Sequence, residues 1–306
     1  MRKLIIGIDG GGTKTCGVLY NEKGEELLRA EFGFSNFSID QEVAIKNIHK
    51  TIEALLVERQ KDDEVILIMG ISGASKLTHK KSFIEELEKT YQLSAELVTD
   101  AHIAIHSIDK KEDEHVIMAI GGTGSAVMIL EGDDYQLIGG YGYLLGDEGS
   151  AYHLVIQALK KMTDHFDRGL SMTPLLSHMM RVMNVNNRED LVNFVYQSRK
   201  TELAQLAKNI SDLAVASDKE AHDLLINEGR LLAEQVLIAA SRFKKKTKIR
   251  IALRGGFIVN APFVKQAFVD ELLTHLDDFV MEEHPNEAVL GAYRLGIKKL
   301  FEVTSC

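Results

Sequence analysis

Two stretches of the chain share one pattern of apolar and small residues. Residues 4–20 read LIIGIDGGGTKTCGVLY, an apolar run, a turn rich in glycine and threonine, and a second apolar run. Residues 115–130, HVIMAIGGTGSAVMIL, repeat this plan, with Thr123 standing where the first copy has Thr13. Short apolar runs on either side of a turn predict two β-hairpins.

Further strands follow each hairpin in the same order. Third strands are predicted at 25–32 and 135–140, and each half later adds a strand that ends in glycine, VILIMG at 65–70 and IRIALRGG at 249–256. A hairpin, a third strand and helices, present twice, predict two related α/β domains with mixed sheets.

Helical periodicity fills much of the remaining chain. The predicted helices are 41–60, 82–91, 150–166, 188–198, 201–217, 219–243, 262–276 and 287–301. Because so much helix falls between residues 150 and 245, we expect a large helical insertion in the second half. The last helix follows Pro285, an acceptable start.

A charged stretch near residues 108–114 is the candidate domain boundary. We therefore expect an N-terminal domain at 1–112 and a C-terminal domain at 113–284 that carries the insertion. The helix in 285–306 is expected to pack back on the N-terminal domain.

Composition narrows the class of protein. The 306 residues are 45% hydrophobic and 26% charged, which is ordinary globular composition. The net charge of −9 disfavours nucleic acid and anionic membranes as partners. Cys16 and Cys306 are too few for a disulfide framework, and the longest apolar runs are too short to span a bilayer. We expect a soluble, cytoplasmic protein.

The first turn, GIDGGGTKT, nearly matches a P-loop. It lacks the Gly–Lys adjacency, and a strand follows it where a P-loop would open a helix. A glycine turn still lets backbone N–H groups approach phosphate oxygens, with Thr13 and Lys14 as further donors. A plain tight hairpin is the alternative, but the matching turn GGTGS at 121–125 favours two turns that grip one nucleotide.

Aspartates follow the strands in both halves. Asp9 ends the first strand and suits Mg²⁺ held mostly through water, or makes only a local turn bond. Asp100 ends the strand AELVTD, where it is either a general base or the N-cap of the next helix. Asp147, in GGYGYLLGDEGSAY, is a candidate for binding sugar hydroxyls, or it simply begins a helix.

These motifs together resemble the N-acetylglucosamine kinase branch of the BadF/BadG/BcrA/BcrD ATPase family, within the actin/hexokinase-like fold. The resemblance rests on DGGGTKT, Asn36, TDA, GTGS, GGYGYLLGDEGSAY, LRGG and PNEAVLGAYRLG, in that order along the chain. It implies two ribonuclease H-like domains around a central cleft and ATP-dependent phosphorylation of an amino sugar: N-acetylglucosamine, glucosamine or N-acetylmuramic acid.

The resemblance also implies roles for individual residues. ATP phosphates would contact Gly11, Gly12, Thr13, Gly122, Thr123 and Gly124, and the adenosine would contact Ala216, Gly255 and Gly256. The sugar would contact Asn36, Asp100, Ser125, Gly140, Tyr141, Gly142 and Asp147, with Asp100 as catalytic base. ATP and Mg²⁺ are the implied cofactors, and a homodimer is the implied assembly.

Two departures concern the acceptor. Animal N-acetylglucosamine kinases have tryptophan where Tyr141 stands and asparagine where Ala126 stands. Both positions are expected near the sugar, so the identity of the amino sugar stays open.

The main alternative function within this family is an ATPase activator that drives electrons into a dehydratase or reductase through an iron–sulfur cluster. Such a cluster needs four thiolates, and Cys16 and Cys306 do not offer that arrangement. A non-catalytic sugar sensor is the other alternative, but we find no segment for an output module.

Overall fold

The strands and helices follow one another in two similar series. The computed structural model describes residues 2–111, 113–132, 134–243, 247–282 and 285–303. The first series is β1 (Lys3–Gly10), β2 (Lys14–Asn21), β3 (Glu26–Gly33), α1 (Gln41–Leu55), β4 (Glu64–Ile71), α2 (Lys80–Tyr91), β5 (Ser94–Val98) and α3 (Asp100–His106). The second is β6 (His115–Gly121), β7 (Ser125–Glu131), β8 (Asp134–Ile138), α4 (Ala151–Arg168), α5 (Pro174–Met183), α6 (Arg188–Gln197), α7 (Lys200–Gln205), α8 (Ala207–Val215), α9 (Lys219–Ala240), β9 (Ile249–Arg254), α10 (Gly256–Asn260), α11 (Val264–Leu273) and β10 (Phe279–Glu282), after which comes α12 (Ala288–Val303).

The chain divides into two compact units, Met1–Asp109 with His284–Cys306 and Lys110–Glu283. Each has a five-stranded sheet, in the order β3-β2-β1-β4-β5 and β8-β7-β6-β9-β10. The first three strands of each series pair antiparallel, and the later two add in parallel. The predicted fold class, α/β with two related mixed sheets, is confirmed.

In the first unit, helices cover both faces of the sheet. Leu4, Ile6 and Ile8 of β1 are buried in the cluster that α1 and α2 complete. Ile5, between them, points to the opposite face and packs with residues of α12. The central strands therefore read as continuous apolar runs, since both of their faces are buried.

The second unit carries most of the helix. Helices α4 to α9 lie between β8 and β9, whereas the described part of the first series has α1 between β3 and β4. The prediction of a single helix at 201–217 is wrong, because α7 ends and α8 begins around Leu206. The Leu206 N–H donates to the carbonyl three residues earlier, that of Leu203, as in a 3-10 turn, whereas an α-helix bonds four residues back.

Helix α5 is absent from the predicted set. Its ends carry ordinary signals: the Thr173 hydroxyl accepts from the Leu176 N–H, Pro174 occupies the first turn, and Asn184 ends the helix in the left-handed region.

No described helix is both long enough and apolar enough to cross a bilayer.

Glycines let α12 approach the rest of the first unit very closely. A Cβ added at Gly291 would overlap the carbonyl oxygen of Ile103 in α3 and lie 2.7 Å from the Ser107 nitrogen. One added at Gly296 would lie 2.5 Å from the Ile5 side chain. The distance between α12 and α3 therefore depends on a missing side chain.

We expect Gly291→Ala to lower the free energy of unfolding by about 3 kcal/mol, because backbone rather than a flexible side chain fills the space. Gly256→Ala is the matched control, since the nearest atom to a Cβ there, the Asn260 amide nitrogen, lies 3.7 Å away. Chemical denaturation of both variants measures the difference. Equal stabilities would contradict the close packing of α12 on α3.

Candidate active site

The first glycine turn connects β1 to β2 and is tied to two neighbouring loops. The Gly11 N–H donates to the Lys14 carbonyl at 3.1 Å and closes the turn. The carbonyl of Gly11 accepts from the Ser35 N–H, and that of Gly10 accepts from the Ser72 N–H at 2.8 Å. Gly12 and Thr13 are exposed at the tip, so both lie where a ligand can reach them.

Lys14 begins β2 and already has a partner on β3. Its ammonium lies 2.6 Å from a carboxylate oxygen of Glu31, and both side chains are exposed. The hydrogen bond with Glu31 raises the pKa of Lys14. A role for Lys14 at phosphate stays a prediction, and it would require the ammonium to leave Glu31.

Asp9 stands one residue before the turn and is half-buried. It lies opposite Cys16 in the β1–β2 pairing and beside Gly70 in the β1–β4 pairing. A carboxylate at this place fits a Mg²⁺ that is bound mainly by phosphates and water. In the described residues, no three His, Cys, Asp or Glu side chains are grouped so that they could hold a metal by themselves.

Cys16 does not have the surroundings of a reactive thiol. It is buried, with 6% of its surface exposed, and burial raises the pKa of the thiol. Thiols in such surroundings are poor nucleophiles. Cys306 lies outside the described residues.

Asn36 joins the loops that follow β3 and β4. Its Oδ1 accepts from the Ser38 N–H at 2.8 Å, and its Nδ2 donates to the Ser72 hydroxyl at 3.2 Å. The N–H of Phe37 donates to the Ser72 carbonyl. The predicted sugar-binding Asn36 is thus fixed in orientation by Ser72, a residue that the sequence analysis did not single out.

Asp100 is the first residue of α3 and is half-buried. The N-cap interpretation of this residue is wrong, because Thr99 occupies the N-cap and its hydroxyl accepts from the His102 N–H at 3.2 Å. The Asp100 Oδ1 accepts from the N–H of Ala101 at 2.9 Å. The helix start therefore does not need Asp100 as its cap, and the role of base stays a prediction.

In the second unit, the glycine turn after β6 meets the turn after β9. The Gly122 N–H donates to the Gly124 carbonyl at 2.9 Å, and the Gly122 carbonyl accepts from the Ala151 N–H at the start of α4. Gly255 has a φ of 97°, and a Cβ there would lie 2.5 Å from the Gly121 carbonyl oxygen. Only glycine allows this contact.

The structure thus brings the predicted GGTGS and LRGG turns together within one unit. Thr123 is exposed at the tip of its turn, and Gly256 is exposed at the start of α10. Ala216 lies at the C-terminal end of α8, where its N–H donates to the Asp212 carbonyl. Its contact with adenosine stays a prediction.

Ser125 connects the second turn to the loop at 139–150. Its hydroxyl donates to the Glu148 carbonyl at 2.7 Å, and its N–H donates to the Asp147 Oδ1 at 3.3 Å. Both Ser125 and Asp147 are buried. Gly140 and Tyr141 of the same loop are exposed, Tyr141 to 76%, and Gly142 is half-buried.

Two charged residues that the sequence analysis missed act on this loop. The ammonium of Lys200 lies 2.6 Å from the Asp147 Oδ2. Glu228 of α9 is fully buried, accepts from the Gly149 N–H at 2.8 Å and contacts the His153 Nδ1 at 2.9 Å. A glutamate on the apolar face of a helix is the one signal in the sequence that could have identified Glu228.

Each of the two units therefore has its own exposed threonine tip and tightly held glycine turn. The fold is that of the actin/hexokinase-like sugar kinases. The chain belongs to the BadF/BadG/BcrA/BcrD ATPase family, whose model matches residues 6–293.

Individual relatives narrow the comparison. The chain is 28% identical to an N-acetylmuramic acid/N-acetylglucosamine kinase of Clostridium acetobutylicum, over 95% of this chain and 97% of that protein. It is 25% identical to an N-acetyl-D-glucosamine kinase of Dictyostelium discoideum, over 95% and 94%. A crystal structure of a candidate N-acetylglucosamine kinase from Chromobacterium violaceum has a TM-score of 0.70 at 24% identity, over 96% and 98%.

The cap assignment at α3 can be tested by stability alone. We expect Thr99→Ala to cost about 1 kcal/mol, the ordinary cost of losing a side-chain cap. Asp100→Ala should cost about 0.5 kcal/mol, because it removes a charge near the helix N-terminus but leaves the capping hydroxyl of Thr99 in place. Denaturant unfolding of both variants measures the two values, and a larger loss for Asp100→Ala than for Thr99→Ala would show that Asp100 is the cap.

Proposed function

We propose that this protein is an ATP-dependent kinase that phosphorylates a hydroxyl group of an amino sugar. The observation that carries the proposal is the equivalence of the two turns: Thr13 and Thr123 lie at the tips of matching hairpins in sheets of the same strand order. The relatives' names support the amino sugar, since two relatives that match 95% of the chain are named for acting on N-acetylglucosamine.

In this proposal the two glycine turns bind the triphosphate. Backbone N–H groups of Gly11, Gly12, Gly122 and Gly124 and the two threonine hydroxyls act as donors, and Lys14 adds charge when it leaves Glu31. Gly255, Gly256 and Ala216 contact the adenosine. Phosphoryl transfer depends mainly on such positioning and charge stabilisation.

The acceptor is held by Asn36, Asp100, Ser125, Gly140, Tyr141, Gly142 and Asp147. The acceptor hydroxyl oxygen attacks the γ-phosphorus, the bond from that phosphorus to the β–γ bridging oxygen breaks, and ADP leaves. The hydroxyl proton passes to the Asp100 carboxylate. Asp9 would hold Mg²⁺, which neutralises charge on the triphosphate when bound.

The family alternative, an ATPase activator with an iron–sulfur cluster, is less well supported. Cluster ligands are thiolates, and Cys16 is buried in β2 with a raised thiol pKa. We propose that the protein is cytoplasmic and works as a homodimer. Light scattering of the purified protein measures its molar mass and so tests the homodimer.

Asp100→Asn tests the catalytic base. We expect turnover with the best amino sugar to fall at least about a hundredfold, because the amide cannot accept the proton. ATP binding and the melting temperature should change little. A coupled assay of ADP release, run with N-acetylglucosamine, glucosamine and N-acetylmuramic acid, measures turnover.

Asp218→Asn is the matched control, because Asp218 caps α9 by accepting from the Ala221 N–H, and asparagine caps about as well. This variant should keep wild-type turnover. Near wild-type turnover in Asp100→Asn as well would rule out Asp100 as the base.

Thr13→Ala and Thr123→Ala test the phosphate turns. Each removes one donor to a charged phosphate, so we expect kcat/KM for ATP to fall about tenfold or more in each. Thr163→Ala is the control, since the Thr163 hydroxyl is exposed on α4 and donates to the Lys160 carbonyl of the same helix. Wild-type ATP kinetics in both turn variants would disprove the two-turn arrangement.

A further inference from the structure

Lys200 reaches the sugar-binding loop from the helical part of the second unit. It is the first residue of α7, far along the chain from the loop at 139–150. Its ammonium lies 2.6 Å from the Asp147 Oδ2, and it stands 5.7 Å and 6.0 Å from the ring centres of Tyr143 and Tyr152. Two aromatic rings and a carboxylate therefore define its position.

Asp147 is in an unfavourable place for an isolated charge. Only 3% of its side chain is exposed, against 28% for Lys200. The Ser125 N–H reaches Oδ1 at 3.3 Å, a long hydrogen bond, so the Lys200 ammonium is the close partner of the other oxygen. Removing the cation from such a pair leaves a buried charge without compensation, so the carboxylate is no longer held in place.

The backbone at and after Asp147 is also held in place by neighbouring residues. Asp147 has a φ of 71°, a conformation that residues other than glycine adopt at a cost. The Ser125 and Gln235 side chains bond the next carbonyl, that of Glu148, and Glu228 accepts from the Gly149 N–H. The backbone after Asp147 is thus held by three side chains, and Lys200 is the partner that orients the carboxylate itself.

Lys200 also adjoins the second glycine turn. A Cβ at Gly124 would lie 2.6 Å from the Lys200 ammonium and 2.7 Å from the Asp147 Oδ2. The ion pair therefore packs directly against the backbone that is proposed to bind phosphate. Asp147 is proposed to bind the acceptor, so one cation lies beside both groups.

We propose that Lys200 is a positioning residue of the acceptor site: its ammonium holds the Asp147 carboxylate in the orientation in which it accepts hydrogen bonds from sugar hydroxyls. This inference rests on the proposed amino-sugar kinase function. Lys200 acts through Asp147, so its loss affects the sugar rather than ATP. Because Lys200 belongs to α7, one of the helices between β8 and β9, these helices would take a direct part in acceptor binding.

The test compares Lys200→Met with Lys208→Met, a control that removes an exposed lysine of α8. We expect the KM for the best amino sugar to rise about tenfold or more in Lys200→Met, since a charge-assisted contact is lost. The KM for ATP should stay within about twofold of wild type. Lys200→Arg, which keeps the charge, should recover part of the sugar affinity.

A double-mutant cycle with Asp147→Asn shows whether Lys200 acts through Asp147. The double variant should bind sugar no worse than Asp147→Asn alone, within about twofold, because the second substitution removes the group that Lys200 orients. Additive losses would overturn the inference, and so would an unchanged sugar KM in Lys200→Met or an equal rise in the KM for ATP.

Two further outcomes are decided in the same assay. If Lys200→Met does not fold, Lys200→Gln, which keeps a donor without the charge, takes its place with the same expected rise in sugar KM. A wild-type protein that turns over none of the amino sugars overturns the proposed function, and this inference with it. An active wild type with an unaffected Lys200 variant overturns this inference alone.

Discussion

Close contact at glycine positions is the constraint on which both glycine turns depend. A Cβ at Gly10 would overlap the Ser35 hydroxyl, and one at Gly255 would lie 2.5 Å from the Gly121 carbonyl oxygen. In each unit, three chain segments converge at the end of a central strand because a side chain is missing there. Thr13 and Thr123 stand at the exposed tips of these turns, while the residues behind each tip are tightly packed.

The helices between β8 and β9 contribute charge to this arrangement as well as bulk. Lys200 at the start of α7 pairs with Asp147, and Glu228 in α9 accepts from the Gly149 N–H. Stability alone does not explain the Lys200–Asp147 pair well, because burying charges costs about as much as their attraction returns. The common effect of Lys200 and Glu228 is to fix one loop, in which Asp147 already adopts a left-handed backbone conformation.

The sequence predicts well those features that residues close together along the chain determine. The hairpins, the strands and the repeat between the halves follow from apolar runs and turn residues that are close along the chain, and the same holds for the two glycine turns. The partners of the site residues are not local: Lys200 with Asp147, Ser72 with Asn36, and Gly255 with Gly121 become neighbours only through the tertiary fold. The break between α7 and α8 belongs to the same group, because helical propensity continues through Leu206 while the backbone bonding changes there.

The position of Asp100 illustrates why a short helix can serve as a precise support. α3 has seven residues, too few to be stable by itself. Thr99 caps its beginning, and at its end the guanidinium of Arg294 in α12 donates to the carbonyls of His106 and Ile108. Between those ends, Gly291 allows α12 to touch the backbone of α3. Helix α12 therefore supports the short helix that carries the proposed base, and a substitution in α12 that moves α3 would move Asp100 with it.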